Sequence, residues 1–193
     1  VHVQVDSPLQ YAALLFVPSQ RPFDLFHPDM KKGPRLYARR VLIDEHADGL
    51  IPDWLRFVRG VVDSEDIQLN VSREMVQKTP VVRKIRDALT KRVLKELGKF
   101  ASREAVEPEE GQPAPSTYED FWRNFGALLK EGYYHDKAAW GDALLPLLRF
   151  HSTRHDDETG LCSLADYKAA LPDGQDTIWY LTAESRESAL ASP

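Results

Sequence analysis

Thr79-Pro80 opens the longest amphipathic stretch of the chain, in which Val82, Ile85, Leu89, Val93, Leu97 and Phe100 recur at three- and four-residue steps. That spacing draws one apolar stripe along a helix, and a threonine N-cap followed by proline at the first helical position marks its start. A helix with one wet and one apolar face is stable only if a second layer covers the stripe. The first third of the chain reads as sheet and can supply that layer. VHVQV (1–5) alternates, ALLFVPS (13–19) is an apolar run closed by Pro18, and LYARRVLI (36–43) alternates as a third strand. The order of sheet first and helices after predicts an α/β fold.

Between the last two strands lies PFDLFHPDMKKG (22–33), a loop with two prolines, a glycine and two phenylalanines, Phe23 and Phe26. Pro52 is expected to open a helical turn that carries Trp54, Leu55 and Val58, before VVDSED turns the chain. EAVEPEEGQPAPST (104–117) is rich in Glu, Pro and Gly and reads as a linker. It is followed by a helix with a Ser116/Glu119 capping box, carrying Tyr118, Phe121, Trp122, Phe125, Leu128 and Leu129 and stopping near Gly132. A further helical stretch, AAWGDALLPLLRF, should be kinked or divided at Pro146. Ser163 and Asp166 form another capping box, TIWYLTA (177–183) reads as a late strand and SRESALA as a terminal helix. The segmentation expected is 1–102, a larger α/β unit with the long helix; 103–150, linker and helical connector; and 151–193, a smaller α/β unit.

Composition narrows the function classes. Hydrophobic residues at 42% and charged residues at 28% of 193 are ordinary for a globular chain. A net charge of −5 argues against nonspecific nucleic-acid binding. The single cysteine, Cys162, excludes an internal disulfide framework and fits a reducing compartment. No apolar run has membrane-span length, and no signal peptide is visible. Opening in an alternating stretch rather than at methionine, the chain reads as a piece of a longer polypeptide.

Three groups of residues stand out as candidate sites. Ser72 is a good helix N-cap, and Arg73 and Gln77, four residues apart, share one face of the helix it starts. An arginine and an amide beside a helix N-terminus suit a phosphate, with Asn70 in support; the competing role for Arg73 is an ion pair with Glu74 or Asp66. The loop from Phe23 to Lys32, together with Leu42, is a candidate binding surface, although at least one of Phe23 and Phe26 is expected to fold back as core. The wet face of the long helix carries Arg83, Lys84, Arg86, Lys91, Arg92, Lys95 and Lys99, which read as a solvated face or an electrostatic surface toward acidic partners rather than a nucleic-acid site, since no interleaved aromatics or known module accompany them. His151 and His155 have helical metal spacing but no third ligand, so no metal is expected. Cys162 lacks an activating neighbour in the sequence and reads as structural. No glycine-rich phosphate loop is present, so this piece alone is expected to hydrolyse nothing.

PFDLF (22–26), LYARRVLI (36–43), LIPDWLRFVRGVVDSED (50–66), LNVSREMVQ (69–77), VRKIRDALTKRVLKEL (82–97), FWRNFGALLKEG (121–132), LLRFHST (147–153) and TIWYLTAES (177–185) occur in this order. In that order they closely resemble the middle segment of the ninety-kilodalton heat-shock chaperone family, its bacterial form in particular, over nearly the whole chain. The resemblance implies a three-layer α/β/α unit, connecting helices and a smaller α/β/α unit. It implies that Arg73, with Gln77 and Asn70, completes the ATPase site of a separate N-terminal nucleotide domain by contacting the terminal phosphate. ATP and magnesium would then belong to that domain and homodimerisation to a C-terminal one. Phe23, Phe26 and Leu42 would contact unfolded or partly folded client proteins, in a cytoplasmic, stress-responsive chaperone that binds neither nucleic acid nor membrane. The alternative is a peptide-binding module indifferent to nucleotide.

Overall fold

The computed structural model describes residues 1–67, 79–103, 116–154 and 160–192. Five strands form one sheet: β1 (His2–Val5), β2 (Tyr11–Phe16), β3 (Arg35–Ala38), β4 (Val41–Asp44) and β5 (Arg59–Ser64), in the order β1-β2-β5-β3-β4. All neighbours are antiparallel except β3 and β5, which run parallel with Leu36 opposite Val62. LYARRVLI is therefore not one strand. It is a hairpin, turned at Arg39 and Arg40 with φ of 50° and 67°. Two-residue hairpin turns favour positive φ, and Gly or Asn usually supplies it. Here the Arg39 N–H donates to the Ser64 carbonyl at 3.3 Å and the Arg40 N–H to Asp63 Oδ1 at 3.2 Å, which ties the turn to β5.

One face of the sheet is buried and the other is not. Tyr11, Ala13, Leu15, Leu36, Ala38 and Val62 point into the core, whereas Leu14 and Phe16 on the other face are more than half exposed. The described residues place helices on the buried side only, so among them the α/β unit shows two of the three expected layers. Beneath the buried face lie two 3-10 turns, Asp48–Leu50 and Asp53–Leu55, whose Leu50, Trp54 and Leu55 are almost fully enclosed. Pro52 caps the second of these turns, which is a single 3-10 turn rather than the opening of an α-helix.

The long helix, α1 (Pro80–Ala101), begins as expected: the Thr79 side chain accepts from the Val82 N–H. Val82, Ile85, Leu89, Val93 and Leu97 are buried, and Phe100 packs half-buried at its end. The next helix, α2 (Tyr118–Leu144), starts one residue later than the expected box. Thr117, with extended backbone, caps it: its side chain accepts from the Asp120 N–H and the Asp120 carboxylate accepts from the Thr117 N–H, so the box is Thr117/Asp120 rather than Ser116/Glu119. Those Thr117 hydrogen bonds, backbone first and side chain second, hold the Asp120 carboxyl below the usual range. Its buried face carries Tyr118, Phe121, Trp122, Phe125, Leu128 and Leu129, the stripe read from the sequence.

Gly132 does not end α2. The helix continues to Leu144 with one non-helical residue, Asp136 (φ −117°, ψ 23°), and stops where Pro146 enters a 3-10 turn, Leu145–Leu147. Gly132 is instead a packing residue, since a Cβ there would stand 2.5 Å from the Trp54 ring. The chain then forms a short ladder of β6 (Phe150–His151) and β7 (Leu161–Cys162), followed by α3 (Leu164–Ala169) with the Ser163/Asp166 capping box, and α4 (Arg186–Leu190). TIWYLTA, expected as a strand, is not one: Trp179, Tyr180 and Leu181 are between 61% and 88% exposed. Strand-forming residues need a neighbouring ladder, and the β6–β7 pair does not extend to them. Most of the 104–117 segment lies outside the described residues.

Two glycines of similar helical setting should respond oppositely to alanine. Gly132→Ala is expected to lower urea-unfolding stability by about 1–3 kcal/mol, because the Trp54 ring must move. Gly98→Ala meets nothing within 4 Å and is expected to raise stability by about 1 kcal/mol. Equal effects at the two sites would contradict the packing of Trp54 on α2.

Candidate functional site

Asn70, Arg73 and Gln77 lie outside the described residues, as does Glu74, one of the alternative partners for Arg73. The other, Asp66, already accepts from the Gln10 N–H at 2.7 Å. Ile67 is buried at the end of the β5 strand turn, and Thr79 is the N-cap of α1.

The loop after β2 is built from successive turns, with the Leu25 N–H donating to the Pro22 carbonyl, His27 to Asp24, and Met30 to His27. These turns insert Leu25 and Met30 into the core, at 1% and 6% exposure. Phe23 and Phe26 point outward instead, fully exposed and 53% exposed, so neither ring folds back as core. The anchoring apolar residues of the loop are therefore an aliphatic pair, and both aromatic rings remain on the surface.

Arg56 organises this surface. Its guanidinium donates to both Glu131 carboxylate oxygens on α2 at 2.8 and 2.9 Å, to the Leu25 carbonyl at 3.2 Å and to the Asp53 carbonyl at 3.1 Å. It also lies over the Phe26 ring, 5.6 Å from its centre, while the Arg21 guanidinium lies 5.7 Å from the same ring. The Arg21 N–H donates to Asn124 Oδ1 on α2 at 3.3 Å, and Lys32 pairs with Asp53 at 3.4 Å. The loop is thus fastened to the helical side of the sheet while Phe26 is held at the surface between two cations. Arg21, Arg56 and Glu131 had no local signal in the sequence, since their proximity spans more than a hundred residues from Arg21 to Asn124.

Leu42 is also exposed, at 42%, but elsewhere. It pairs with Tyr37 across the β3–β4 hairpin and so shares the sheet face that carries Ala12, Leu14, Val61 and Asp63. A shallow cavity of about 430 Å³ on that face is lined by His2, Ala12, Leu14, Tyr37, Arg40, Val61 and Asp63, among others. The expected client residues therefore occupy two surfaces, Phe23 and Phe26 on the helical side and Leu42 on the open face.

The remaining candidates read plainly. On α1, Arg92 and Lys99 both pair with Glu96, at 3.3 and 2.9 Å, and the Lys99 hydrogen bond is the main cause of its lowered carboxyl pKa. That face is charged on both signs and exposed, as a solvated face should be. His155 lies outside the described residues, and no group of three or more His, Cys, Asp or Glu among the described residues is arranged to hold a metal ion. The Cys162 thiol is half-buried, its pKa pushed up chiefly by burial, which favours an unreactive thiol. No helix among the described residues is long and apolar enough to cross a membrane.

The Arg56 fork gives a direct test of this geometry. Arg56→Lys retains the charge but cannot bond both Glu131 oxygens and the Leu25 carbonyl together, and should cost about 1–2 kcal/mol in urea unfolding. It should also speed proteolysis within residues 21–34, and an unchanged cleavage pattern would mean that Arg56 does not fasten the loop.

The chain matches the family described as Hsp90 protein over residues 1–193. It is 46% identical over 193 residues to the chaperone protein HtpG of Paramagnetospirillum magneticum. It is 43% identical to that of Cronobacter sakazakii and 44% to that of Salmonella paratyphi B, each over 192 residues. Each alignment covers 100% of this chain and 29% of the relative, so the chain spans less than a third of the length of these curated relatives. With every residue inside the match, the chain belongs to the Hsp90 protein family.

Proposed function

We propose that this chain is the middle segment of an ATP-dependent chaperone, acting between a nucleotide domain on its N-terminal side and a dimerising domain on its C-terminal side. The observation that carries the reading is the alignment itself: all of the chain matches 29% of proteins named as HtpG chaperones. In this reading Arg73 reaches the terminal phosphate of ATP bound on the nucleotide domain, with Gln77 and Asn70 in support. ATP is then a substrate shared between domains, and magnesium belongs with it on the other domain. The planar guanidinium suits this task because it can bond two phosphate oxygens at once and balance the charge that develops on the transferring group. Because the contact forms only when the domains dock, Arg73 would favour the closed state in the presence of ATP and couple hydrolysis to domain closure. The same reading makes the protein a cytoplasmic homodimer that works on unfolded or partly folded proteins.

The client surface in this reading is Phe23 and Phe26, with Leu42 as a second contact. Its support is the exposure of both rings on a loop whose neighbours Leu25 and Met30 are buried. An aromatic ring held out by anchored neighbours meets a partner at lower entropic cost than one on a floppy loop. The competing reading, a peptide-binding module indifferent to nucleotide, would use the same loop and is separated from the first by Arg73.

Steady-state ATP hydrolysis by the full-length polypeptide distinguishes them. Arg73→Ala is expected to lower turnover by on the order of a thousandfold while ATP affinity changes little, and Arg73→Lys should recover only part of the loss. Unchanged turnover would remove the phosphate contact and leave the peptide-binding module. Phe26→Asp and Leu42→Asp are expected to weaken binding of an unfolded client in equilibrium titrations, with basal hydrolysis unchanged. Retained client affinity in either variant would take that residue out of the binding surface.

A further inference from the structure

The charges around Phe26 are unequal. Arg56 and Arg21 lie over the ring at 5.6 and 5.7 Å, so two guanidinium groups gather at it. Of these, Arg56 is matched by the bidentate Glu131 carboxylate, and Lys32 takes the nearby Asp53. Arg21 has no carboxylate partner among the described residues: of the loop's two acids, Asp24 makes no ion pair with it and Asp29 lies against His27 at 3.8 Å. The Arg21 backbone N–H is bonded to Asn124, and the side chain rests over the Phe26 ring at 5.7 Å, which keeps the guanidinium beside the ring. An apolar side chain resting on Phe26 would therefore have an unmatched guanidinium beside it.

We propose that the Phe23–Phe26 loop selects client segments in which a carboxylate lies next to an apolar side chain. Phe26 supplies the apolar contact, Arg21 is the specificity residue and Arg56 is the positioning residue that holds the ring outward. The inference rests on the client-surface reading above and adds the chemistry of what that surface prefers. A segment flanked by lysine would bring a third cation toward Arg21 and Arg56 and be disfavoured, which gives discrimination by repulsion as well as attraction. Because the pair is exposed, the preference is modest, about two- to fivefold in Kd for one carboxylate at low salt, and it narrows as salt rises. Modest preference suits a surface that must accept many sequences, since apolar contact does most of the binding and charge biases the choice.

Fluorescence anisotropy with the full-length polypeptide tests this. The probes are three labelled, unstructured twelve-residue peptides with identical Phe and Leu positions, flanked by Glu, Gln or Lys. The expected order of affinity is Glu, then Gln, then Lys, with all three weakened by Phe26→Ser. Arg21→Gln should bring the Glu and Gln peptides together, and Arg21→Glu should turn the preference toward Lys. Arg21 is exposed, so both variants should unfold at the wild-type urea midpoint. Equal binding of the Glu and Gln peptides to the wild type, with Phe26→Ser still weakening both, would overturn the carboxylate preference and leave the client surface standing. Binding of all three peptides unaffected by Phe26→Ser would overturn the client surface and this inference with it.

Discussion

The seating of Trp54 against α2 is the contact on which the rest of this structure depends. The ring lies on Gly132, and its indole N–H donates to Asp136 Oδ2 at 2.7 Å, at the one non-helical residue of the helix. Two residues further on, Arg56 closes its fork on Glu131, and Phe57 stacks on Phe125 at 4.7 Å and meets Phe121 edge-on at 5.7 Å. The four residues 54–57 thereby join the sheet layer to the helical connector through aromatic packing, a charged fork and a hydrogen bond at once. Aromatic burial supplies most of the driving force, while the two polar contacts set the angle at which the helix passes.

That junction also determines what the surface looks like. Arg56 is held by its bonds to α2, and it in turn holds the Leu25 carbonyl and one face of Phe26. The loop between β2 and β3 is consequently a built feature of the helical side, not a free connection between strands. Leu42 belongs to a different surface because the β3–β4 hairpin turns it to the open face of the sheet. A polypeptide touching both Phe26 and Leu42 would have to pass around the sheet edge, so in the client-binding reading proposed above the two residues would serve separate stretches of one client or separate clients.

Much of the fold was legible because its signals are local. The α1 stripe with Thr79-Pro80 at its head, the aromatic face of α2 and the Ser163/Asp166 box all appear where periodicity and capping chemistry put them. The misreadings share a cause. Arg39 and Arg40 hide a hairpin because arginine does not advertise positive φ, and bonds to β5 supply what a glycine would have supplied. Gly132 looked like a helix stop because an isolated glycine is ambiguous until the ring resting on it is known. TIWYLTA looked like a strand because its residues favour one, but propensity does not provide a neighbour to pair with. In the candidate site, the exposed phenylalanine loop could be picked out as unusual, whereas the expectation that one ring turned inward failed because Leu25 and Met30 had taken the interior.

The sequence alone determined the elements that depend on a few adjacent residues: the capped helices, their apolar faces, the alternating strands and the unusual presence of two phenylalanines in a proline-rich loop. It also carried the family resemblance, because ordered motifs survive as text without any geometry. Tertiary structure decided everything that depends on residues distant in the chain. It set which face of the sheet is buried, the course of α2 past Gly132 and the separation of Leu42 from Phe26. It also placed Arg21 and Arg56 over one ring and Glu131 on Arg56. The physical reason is that periodicity and capping act over one or two helical turns, whereas a charge pair such as Arg56–Glu131 joins positions 75 residues apart that meet only when the core closes.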